Sequence, residues 1–319
     1  GLEKPVSRLV MGVDNQTTLG QASLIFDDYF EMGGNTFDSA FIYGGGKCET
    51  VLGQWIRQRN IRDKVVILDK GAHTPHCNPE ALTSQLLTSL ERLGTDHLDI
   101  YMMHRDNLDI PVGEFVDVLN EHHKAGRIRI FGGSNWSLER VEAANAYAKK
   151  KGLQGFSVLS NNLSLARMVK PVWGGCISVA DEPSRTWLEK NNMSLMPWSS
   201  QARGFFVPER AHPSKKEDES LVNSWYSEDN FERQARAIIL AKKLGVQPVN
   251  VALAYVLCQP FPTFPLIGPR LLSETLSCTD GITLKLSRDE MRWLNLETDE
   301  IGGKSSSGSK TEAKSPVLV

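Results

Sequence analysis

The chain has 319 residues, and its 36 lysines and arginines nearly balance its 38 aspartates and glutamates, which leaves a formal net charge of -2. Such a balance offers no basic face to a phosphate backbone, so we expect no nucleic-acid partner. The hydrophobic content is 40% and the mean hydropathy is -0.28. No apolar run approaches the roughly 18 residues of a membrane helix, so we expect a globular chain that neither spans a membrane nor is anchored to one.

The five cysteines of the chain are widely scattered, and no Cys-x-x-Cys pair occurs among them. Residues 1–4 do not begin the apolar stretch of a signal peptide. An odd number of dispersed thiols is typical of a reducing compartment, so we expect a cytoplasmic protein. The sequence does not predict an oligomeric state.

Short apolar runs that end in small or polar residues recur along the chain, and eight of them predict β-strands. They lie at 8–11, 36–37, 65–68, 98–103, 128–131, 156–159, 193–198 and 263–267. With the last residues of strands two to six taken as 38, 69, 103, 133 and 160, the strands follow one another at steps of 27 to 34 residues, which is the length of one strand plus one helix. Alternation at this period predicts a parallel sheet.

The stretch 79–93 gives the clearest helical pattern. Its apolar side chains recur on one face at Leu82, Leu86, Leu90 and Leu93. Pro79 after Asn78 predicts the start of this helix, and Gly94 predicts its end. Strand–helix alternation without a Gly-x-Gly-x-x-Gly after the first strand favours a closed (β/α)8 barrel, the α/β TIM barrel, over a doubly wound dinucleotide-binding sheet.

The chain between the seventh and eighth predicted strands is long and contains the polar stretch 211–230, in which positions 215–219 are all charged. We expect an excursion loop there, either a functional loop or a surface loop without a role. From position 302 onward the sequence is rich in Gly, Ser and Lys without periodicity, which predicts a disordered tail. The expected organisation is therefore one catalytic barrel domain over 1–301 and a tail over 302–319.

Polar side chains close several predicted strands, at the end of a barrel where active sites lie. Asp38, Lys70 and His104 follow strands two, three and four, and Tyr43 lies in the loop after Asp38. Because neighbouring strands bring their ends side by side, we expect these side chains to lie within reach of one another. A lysine ammonium next to a phenol stabilises the phenolate and lowers the pKa of the phenol. With Lys70 held charged by Asp38, Tyr43 is a credible general acid for a carbonyl, whose oxygen His104 would also bond.

Three separated motifs surround these residues. They are Asp-Ser-Ala-Phe-Ile-Tyr-Gly at 38–44 with Glu49 and Leu-Gly at 52–53, then Leu-Gly-Thr-Asp-His-Leu-Asp-Ile-Tyr at 93–101 leading to His104, then Gly-Arg-Ile-Arg at 126–129 leading to Gly-Ser-Asn at 133–135. Over roughly 7–296, the chain resembles the aldo-keto reductase superfamily. The resemblance implies an NADPH-dependent reduction of a carbonyl, with Asp38, Tyr43, Lys70 and His104 as the catalytic tetrad.

The resemblance also implies how the chain would hold NADPH. Ser134 and Asn135 correspond to the groups that bind the nicotinamide carboxamide, and Trp198 takes the place of the aromatic residue that stacks on the nicotinamide ring. The segment 199–203 stands where the family wraps the pyrophosphate.

Gly-Pro-Arg at 268–270, with Glu274 four residues after Arg270, resembles the segment that grips the adenosine end. Arg270 is expected to pair with the 2′-phosphate through its two-pronged guanidinium. The complete cofactor-binding set is predicted as Gly12, Asp38, Ser134, Asn135, Asn161, Trp198, Ser199, Gln201, Arg203, Gly268, Arg270 and Glu274.

The sequence departs from the family pattern at three places, none of which is a tetrad residue. The glutamine that binds the carboxamide falls at Ser160 or Asn161, and either of these two residues is a candidate for that contact. Asp69 replaces the usual small residue before the lysine, and the segment after Trp198 lacks the common proline.

Two further stretches suggest other sites and are interpreted as structural. Gly-Gly-Gly-Lys at 44–47 lacks the earlier glycine of a P-loop, because position 41 is Phe, so it predicts a turn after Tyr43. His73, His76 and Cys77 flank Pro75 in a loop, so no metal site is predicted. Among the tryptophans, Trp136 and Trp187 are expected in the core, and Trp173 is expected in the core or the substrate pocket.

The predicted function is the reduction of an aldehyde or ketone, a polar or sugar-like carbonyl included, to the alcohol by NADPH. The expected pocket residues are Asp14, Phe41, Arg105, Asp106, Trp173 and Phe205. An alternative is a cofactor-binding regulatory subunit of the potassium-channel β type, although no long interaction arm precedes strand one. Metal-dependent hydrolysis would need several ligands at strand ends, and only His104 qualifies.

Overall fold

The computed structural model describes residues 1–302, which contain eight β-strands and eleven α-helices. The strands are β1 Val10–Gly12, β2 Thr36–Asp38, β3 Val66–Gly71, β4 Leu98–Met103, β5 Ile128–Ser134, β6 Val158–Ser160, β7 Ser194–Leu195 and β8 Leu266–Ile267. The helices are α1 Leu19–Glu31, α2 Lys47–Arg59, α3 Pro79–Leu93, α4 Val112–Lys124, α5 Leu138–Lys151, α6 Glu182–Asn191, α7 Glu219–Trp225, α8 Glu228–Leu244, α9 Pro248–Leu257, α10 Leu272–Thr283 and α11 Arg288–Leu294.

The strands form one parallel sheet in the order β7-β6-β5-β4-β3-β2-β1-β8. The two ends of this sheet meet, because Leu195 of β7 forms a parallel bridge with Thr263 just before β8. The Leu195 amide donates to the Pro262 carbonyl at 2.8 Å, and the Phe264 amide donates to the Leu195 carbonyl at 2.8 Å. All eight predicted strands and the closed (β/α)8 barrel are confirmed.

Side chains of the strands alternate between the inside of the barrel and the surrounding helices. Val66, Leu68, Ile100 and Met102 pack together inside the barrel, along with Val158 and Met196. Lys70 lies two residues after Leu68, and His104 lies two residues after Met102. Both polar side chains therefore lie on the inner face of the barrel, at its carboxyl end, next to the apolar side chains that pack inside it.

A larger apolar cluster fills the space between the strands and the helices. Phe37 of β2 packs against Phe26 of α1 at 5.3 Å and Trp55 of α2 at 5.0 Å between ring centroids. The predicted helix over 79–93 is confirmed. The Asn78 side chain accepts from the Ala81 amide at its start.

The interval between β7 and β8 contains three helices, α7, α8 and α9. The stretch 211–230 is therefore only partly the loop that its composition predicted, because α7 and the start of α8 fall inside it. Asp218 caps α7 by accepting from the Leu221 amide at 3.0 Å, and Leu221 and Trp225 are buried one turn apart. Periodic apolar residues within a charged stretch thus form a short amphipathic helix.

The expected tail over 302–319 lies, except for Gly302, outside the described residues. The domain boundary at 301 stays a prediction. Within residues 1–302, no single helix is long and apolar enough to cross a membrane, and the bent pair α8 and α9 meets that criterion only when its two members are counted together.

Candidate active site

Three members of the predicted tetrad come from adjacent parallel strands. Asp38 ends β2, Lys70 lies in β3, and His104 follows β4 directly. Lys70 Nζ donates to Asp38 Oδ1 at 2.5 Å and to the Ser39 carbonyl at 2.8 Å. Both members of this ion pair are about 2% exposed, so the lysine is held in a fixed position.

Tyr43 lies in a short 3₁₀ turn, Tyr43–Gly46, which confirms the turn predicted there. Gly44 has a φ of +57°, and a Cβ on it would lie 3.1 Å from Cys48 Sγ, so this turn requires glycine. Lys70 Nζ lies 5.1 Å from the centre of the Tyr43 ring, and the His104 ring lies 5.7 Å from it on another side. The four predicted catalytic side chains therefore meet at one mouth of the barrel.

The pKa of Tyr43 is raised well above its ordinary value, mainly by burial and then by the carboxylates of Asp38 and Asp14, while Arg105 acts in the opposite direction. The net direction is therefore opposite to the lowering that the sequence predicted. The reason is that burial and the two carboxylates disfavour the phenolate, while the Lys70 ammonium lies over the face of the ring. Tyr43 thus keeps its proton at neutral pH.

His104 is buried, and its Nδ1 has no hydrogen-bond partner among the described residues. Burial lowers the pKa of His104 well below its usual range, and Lys70, Arg105 and His73 lower it further. The His73 ring stands edge-on to the His104 ring at 4.8 Å. A neutral imidazole keeps one N–H donor, which suits a hydrogen bond to a carbonyl oxygen.

The side chains at the ends of β5 and β6 form a connected polar group. Ser134 Oγ donates to the Ser160 carbonyl at 3.0 Å, and Asn135 Nδ2 donates to Ser134 Oγ at 3.1 Å. Both ends of the Asn161 amide are engaged by the Trp136 backbone, at 3.2 and 2.8 Å. Ser160 Oγ, by contrast, is buried without a partner in residues 1–302, so Ser160 has the open polar group of the two.

Trp198 and the segment after it lie on the other side of this mouth. Trp198 is half-buried, and its Nε1 has no partner among the described residues. Trp173 covers it at 5.9 Å between ring centroids, and the Arg203 guanidinium lies 5.4 Å from the Trp173 ring. Ser199 and Arg203 have φ values of +49° and +54°, so the chain turns sharply twice here. Gln201 Nε2 lies 4.0 Å from Cys278 Sγ.

The predicted adenosine segment lies after β8. A Cβ on Gly12 would lie 3.2 Å from the Ile267 carbonyl, whereas Gly268 has open space beside it. Arg270 is exposed. Glu274 accepts from the Arg270 amide at 2.7 Å and from the Leu271 amide at 3.2 Å, so its carboxylate fixes the start of α10.

Two of the expected pocket residues are engaged by other parts of the chain. Asp106 forms a bidentate ion pair with Arg140 of α5 at 2.7 and 2.8 Å, which uses its carboxylate to hold the loop after β4. Phe205 is fully buried among other aromatic rings, including Phe206 at 5.4 Å. Phe205 is therefore closed off by other rings, and the place of Asp106 in the pocket stays a prediction, because loop position alone does not show which way a side chain points.

The tryptophans differ in their surroundings. Trp136 is fully buried, which confirms its place in the core. Trp187 is only partly buried, and its Nε1 donates to Glu142 at 2.5 Å. Trp173 is 51% exposed.

Among residues 1–302, no group of three or more His, Cys, Asp and Glu side chains is arranged to hold a metal.

The structure also shows a buried polar cluster that the sequence analysis did not connect. Asp69 points away from the barrel interior, beside Glu49 of α2 and Ser89 of α3, and burial and Glu49 raise its pKa well above the usual range. Glu49 also pairs with Arg92 at 2.7 Å. Strand alternation is the signal that could have found it, since Asp69 has the opposite parity to Lys70.

A closed (β/α)8 barrel with Asp, Tyr, Lys and His side chains gathered at the carboxyl ends of β2 to β4 is the architecture of a barrel enzyme. The sequence model of the Aldo/keto reductase family matches residues 10–295, so the chain belongs to this family of oxidoreductases.

Relatives of known name are distant but nearly full-length. An uncharacterized oxidoreductase of Bacillus subtilis, YrpG, is 26% identical over 91% of this chain and 91% of its own length. Norsolorinic acid reductase of Aspergillus flavus is 26% identical over 89% of this chain and 72% of its own. An aldo/keto reductase of Klebsiella pneumoniae, solved in complex with NADP and acetate, has a TM-score of 0.71 at 21% identity, with 91% of each chain covered.

Proposed function

We propose that the protein reduces an aldehyde or ketone to the alcohol with NADPH, and that Tyr43 is the general acid. The observation that carries this proposal is the convergence of Asp38, Tyr43, Lys70 and His104 at one mouth of the barrel. Family membership and the NADP complex of the Klebsiella pneumoniae relative support the choice of cofactor.

The residues around the mouth fit a dinucleotide. Ser160 Oγ and Trp198 Nε1 are buried polar atoms without a partner in residues 1–302, and the open space at Gly268 lets a ligand approach the backbone. Ser134, Asn135 and Trp198 would hold the nicotinamide end, the segment 199–203 the pyrophosphate, and Arg270 the adenosine phosphate. NADPH, when bound, supplies the hydride.

The chain's own residues then handle the proton. A phenol keeps its proton at neutral pH, and the raised pKa of Tyr43 leaves it protonated, so it is present as an acid when the carbonyl oxygen becomes negative. Lys70, held by Asp38, stabilises the phenolate that remains after the proton is given up. Neutral His104 donates a hydrogen bond to the same oxygen and so orients the carbonyl toward Tyr43.

Replacing Tyr43 tests the mechanism. Tyr43→Phe should lower kcat by roughly 10²–10⁴-fold, as expected for the loss of a general acid, while the Kd for NADPH stays nearly unchanged. The measurement is the loss of NADPH absorbance with 4-nitrobenzaldehyde, together with cofactor binding by fluorescence quenching. Turnover close to that of the wild type would disprove Tyr43 as the acid. Tight NADPH binding without turnover on a wide aldehyde and ketone panel would favour the regulatory alternative.

Replacing Arg270 tests the cofactor assignment. A 2′-phosphate forms charge-assisted hydrogen bonds with a guanidinium, whereas NADH offers only hydroxyl groups there. Arg270→Ala should therefore raise the Kd for NADPH roughly 10- to 150-fold and that for NADH far less. Glu274→Ala is the matched control, since it loosens the start of α10 and should weaken both cofactors. Equal losses of NADPH and NADH in Arg270→Ala would contradict the assignment.

A further inference from the structure

The guanidinium of Arg105 is buried with most of its donors unused. It is 6% exposed and follows the catalytic histidine directly. Its Nη1 donates to the His104 carbonyl at 2.8 Å, and its Nη2 lies 3.7 Å from Cys176 Sγ, which is a weak acceptor. Its Nε has no partner in residues 1–302. A guanidinium carries five N–H groups, so three of them are free within the described part of the chain.

The nearby Arg140 shows how this protein satisfies a guanidinium when its role is structural. Arg140 forms two bonds to the Asp106 carboxylate and further bonds to the carbonyls of Asn107 and Ile110. No carboxylate of residues 1–302 lies within 4.0 Å of the Arg105 guanidinium, and the adjacent Asp106 is taken. A guanidinium does not lose its proton, and a buried charge without a counter-charge is destabilising. The fold therefore leaves the buried positive charge of Arg105 without a counter-charge among the described residues.

This charge lies beside the reacting groups and is held there. The Arg105 carbonyl accepts from Cys77 Sγ at 3.3 Å and from Trp136 Nε1 at 3.1 Å, which fixes its backbone. Gly175 lies over the side chain, since a Cβ on it would be 3.5 Å from Arg105 Nε. Arg105 is close enough to act on the pKa of both Tyr43 and His104, and lowers each of them.

The phosphates of the cofactor are poor candidates for the missing anion. The segments proposed to hold them, 199–203 and 268–270, follow β7 and β8, whereas Arg105 follows β4. In the strand order of the sheet, β4 is three positions from β7 in one direction and four positions from β8 in the other. An anion at Arg105 is therefore expected to arrive with the substrate.

We propose that Arg105 binds a carboxylate of the substrate, so that the carbonyl compounds this enzyme reduces best are oxo acids. A planar carboxylate matches the two-pronged donor arrangement of a guanidinium. The carboxylate would hold the substrate by one end while Tyr43 and His104 bond its carbonyl oxygen. This inference rests on the proposed carbonyl reduction and adds the substrate class.

Matched substrates test the proposal in the wild-type enzyme with NADPH. Each oxo acid is compared with its own methyl ester: glyoxylate, succinate semialdehyde, and 2-, 3- and 4-carboxybenzaldehyde. We expect kcat/KM for the acid to exceed that for the ester by roughly 10- to 150-fold in the pairs whose spacing fits. Glyceraldehyde 3-phosphate against glyceraldehyde serves as a phosphate arm. A preference confined to that arm, or no acid preference in any pair, overturns the proposal.

Substitutions show whether Arg105 causes the preference. In Arg105→Met the ratio of acid to ester should fall to about one, and Arg105→Lys should keep an intermediate ratio, because it retains charge but not the paired donors. An unchanged ratio in a folded Arg105→Met overturns the assignment. If neither variant folds by circular dichroism, competitive inhibition of the wild type by benzoate and benzamide decides instead, and equal inhibition constants overturn the proposal.

Neutral carbonyls separate this inference from the proposed function. If wild-type enzyme reduces 4-nitrobenzaldehyde and the methyl esters but shows no acid preference, carbonyl reduction stands and the role of Arg105 is wrong. If it reduces neither esters nor acids while binding NADPH, the proposed function itself fails.

Discussion

The two ends of the barrel differ in whether their buried charged and polar groups have partners. At the amino end, Asp99 near the start of β4 is 3% exposed, yet both its oxygens are bonded. Lys4 Nζ lies at 2.7 Å, Arg62 Nη2 at 3.0 Å, and the Ile67 amide at 2.9 Å. A buried carboxylate that is fully paired in this way contributes to the fold and leaves nothing for a ligand.

At the carboxyl end, several buried polar atoms have no partner among residues 1–302. They belong to His104, Arg105, Ser160 and Trp198. An unsatisfied buried group costs about 1–3 kcal/mol, so a ligand that bonds to these atoms at the mouth would recover part of that cost. Strand β4 runs from Asp99 near one end of the barrel to His104 at the other. In such barrels the amino end serves stability and the carboxyl end carries the active site.

The largest effect is expected from the buried ion pair between Lys70 and Asp38 at the carboxyl end. Lys70→Met should lower kcat by roughly 10²–10⁴-fold at neutral pH, since the Tyr43 phenolate loses its positive neighbour. It should also destabilise the fold by about 3–5 kcal/mol, because Asp38 is left buried and unpaired. Urea unfolding and the NADPH assay measure the two effects.

The double variant Lys70→Met/Asp38→Asn separates them. It removes the unpaired charge, so most of the stability should return while activity stays lost. Recovery of turnover together with stability would mean that Lys70 acts on the fold and not on Tyr43.

At the amino end the expected loss is confined to stability. Asp99→Asn replaces one carboxylate oxygen with an amide that cannot accept from Lys4 or Arg62, so we expect a loss of about 3 kcal/mol. The kcat below the melting temperature should not change. Asp96→Asn is the control, because Asp96 is exposed and its side-chain partner in residues 1–302 is neighbouring His97, and it should change stability by less than about 0.5 kcal/mol. A clear drop in kcat for folded Asp99→Asn would break the division between the two ends.

The barrel and the tetrad could be predicted because both follow from local pattern. Each strand is an apolar run closed by a polar residue, and in a parallel barrel all such ends meet at one mouth. Asp38, Lys70 and His104 could therefore be predicted as site residues from their positions at the ends of strands. The closing bridge from Leu195 to Thr263 joins residues far apart in sequence, yet it follows once eight strands are counted.

What the sequence did not predict depends on contacts between distant segments. The direction of the Tyr43 pKa is set by burial and by Asp14 in another loop, and no sequence spacing gives either. Asp106 was expected in the pocket, but Arg140, 34 residues later, pairs with it. Ser160 and Arg105 were candidates from the sequence, but their buried atoms without partners in the described residues could be recognised only from the structure.

The smallest effect we expect concerns Asp69, a buried carboxyl that belongs to neither end of the barrel. Within residues 1–302 neither of its oxygens has a hydrogen-bond partner, and the titratable and charged groups near it include Glu49, Arg92, Lys70, Tyr43 and Tyr101. Burial and Glu49 raise its pKa in the folded protein, so folding favours its protonated form. The contribution of Asp69 to stability is therefore fully present below its unfolded pKa near 4 and is lost as the pH rises toward the folded pKa.

Asp69→Asn keeps the shape and cannot ionise, so the variant should match the wild type near pH 4 and exceed it by on the order of 1 kcal/mol at pH 8. The measurement is the free energy of unfolding of both proteins by urea across this range. His104 has a lowered pKa, so the fold loses stability as the pH falls below the unfolded pKa of this histidine. This trend is present in both proteins and cancels when their free energies of unfolding are subtracted. Asp280→Asn, at an exposed aspartate, is the control, because it makes the same substitution away from the buried cluster. A difference between Asp69→Asn and wild type that stays constant from pH 4 to pH 8, or that favours the wild type at pH 8, would show that the pKa of Asp69 is not raised in the folded protein.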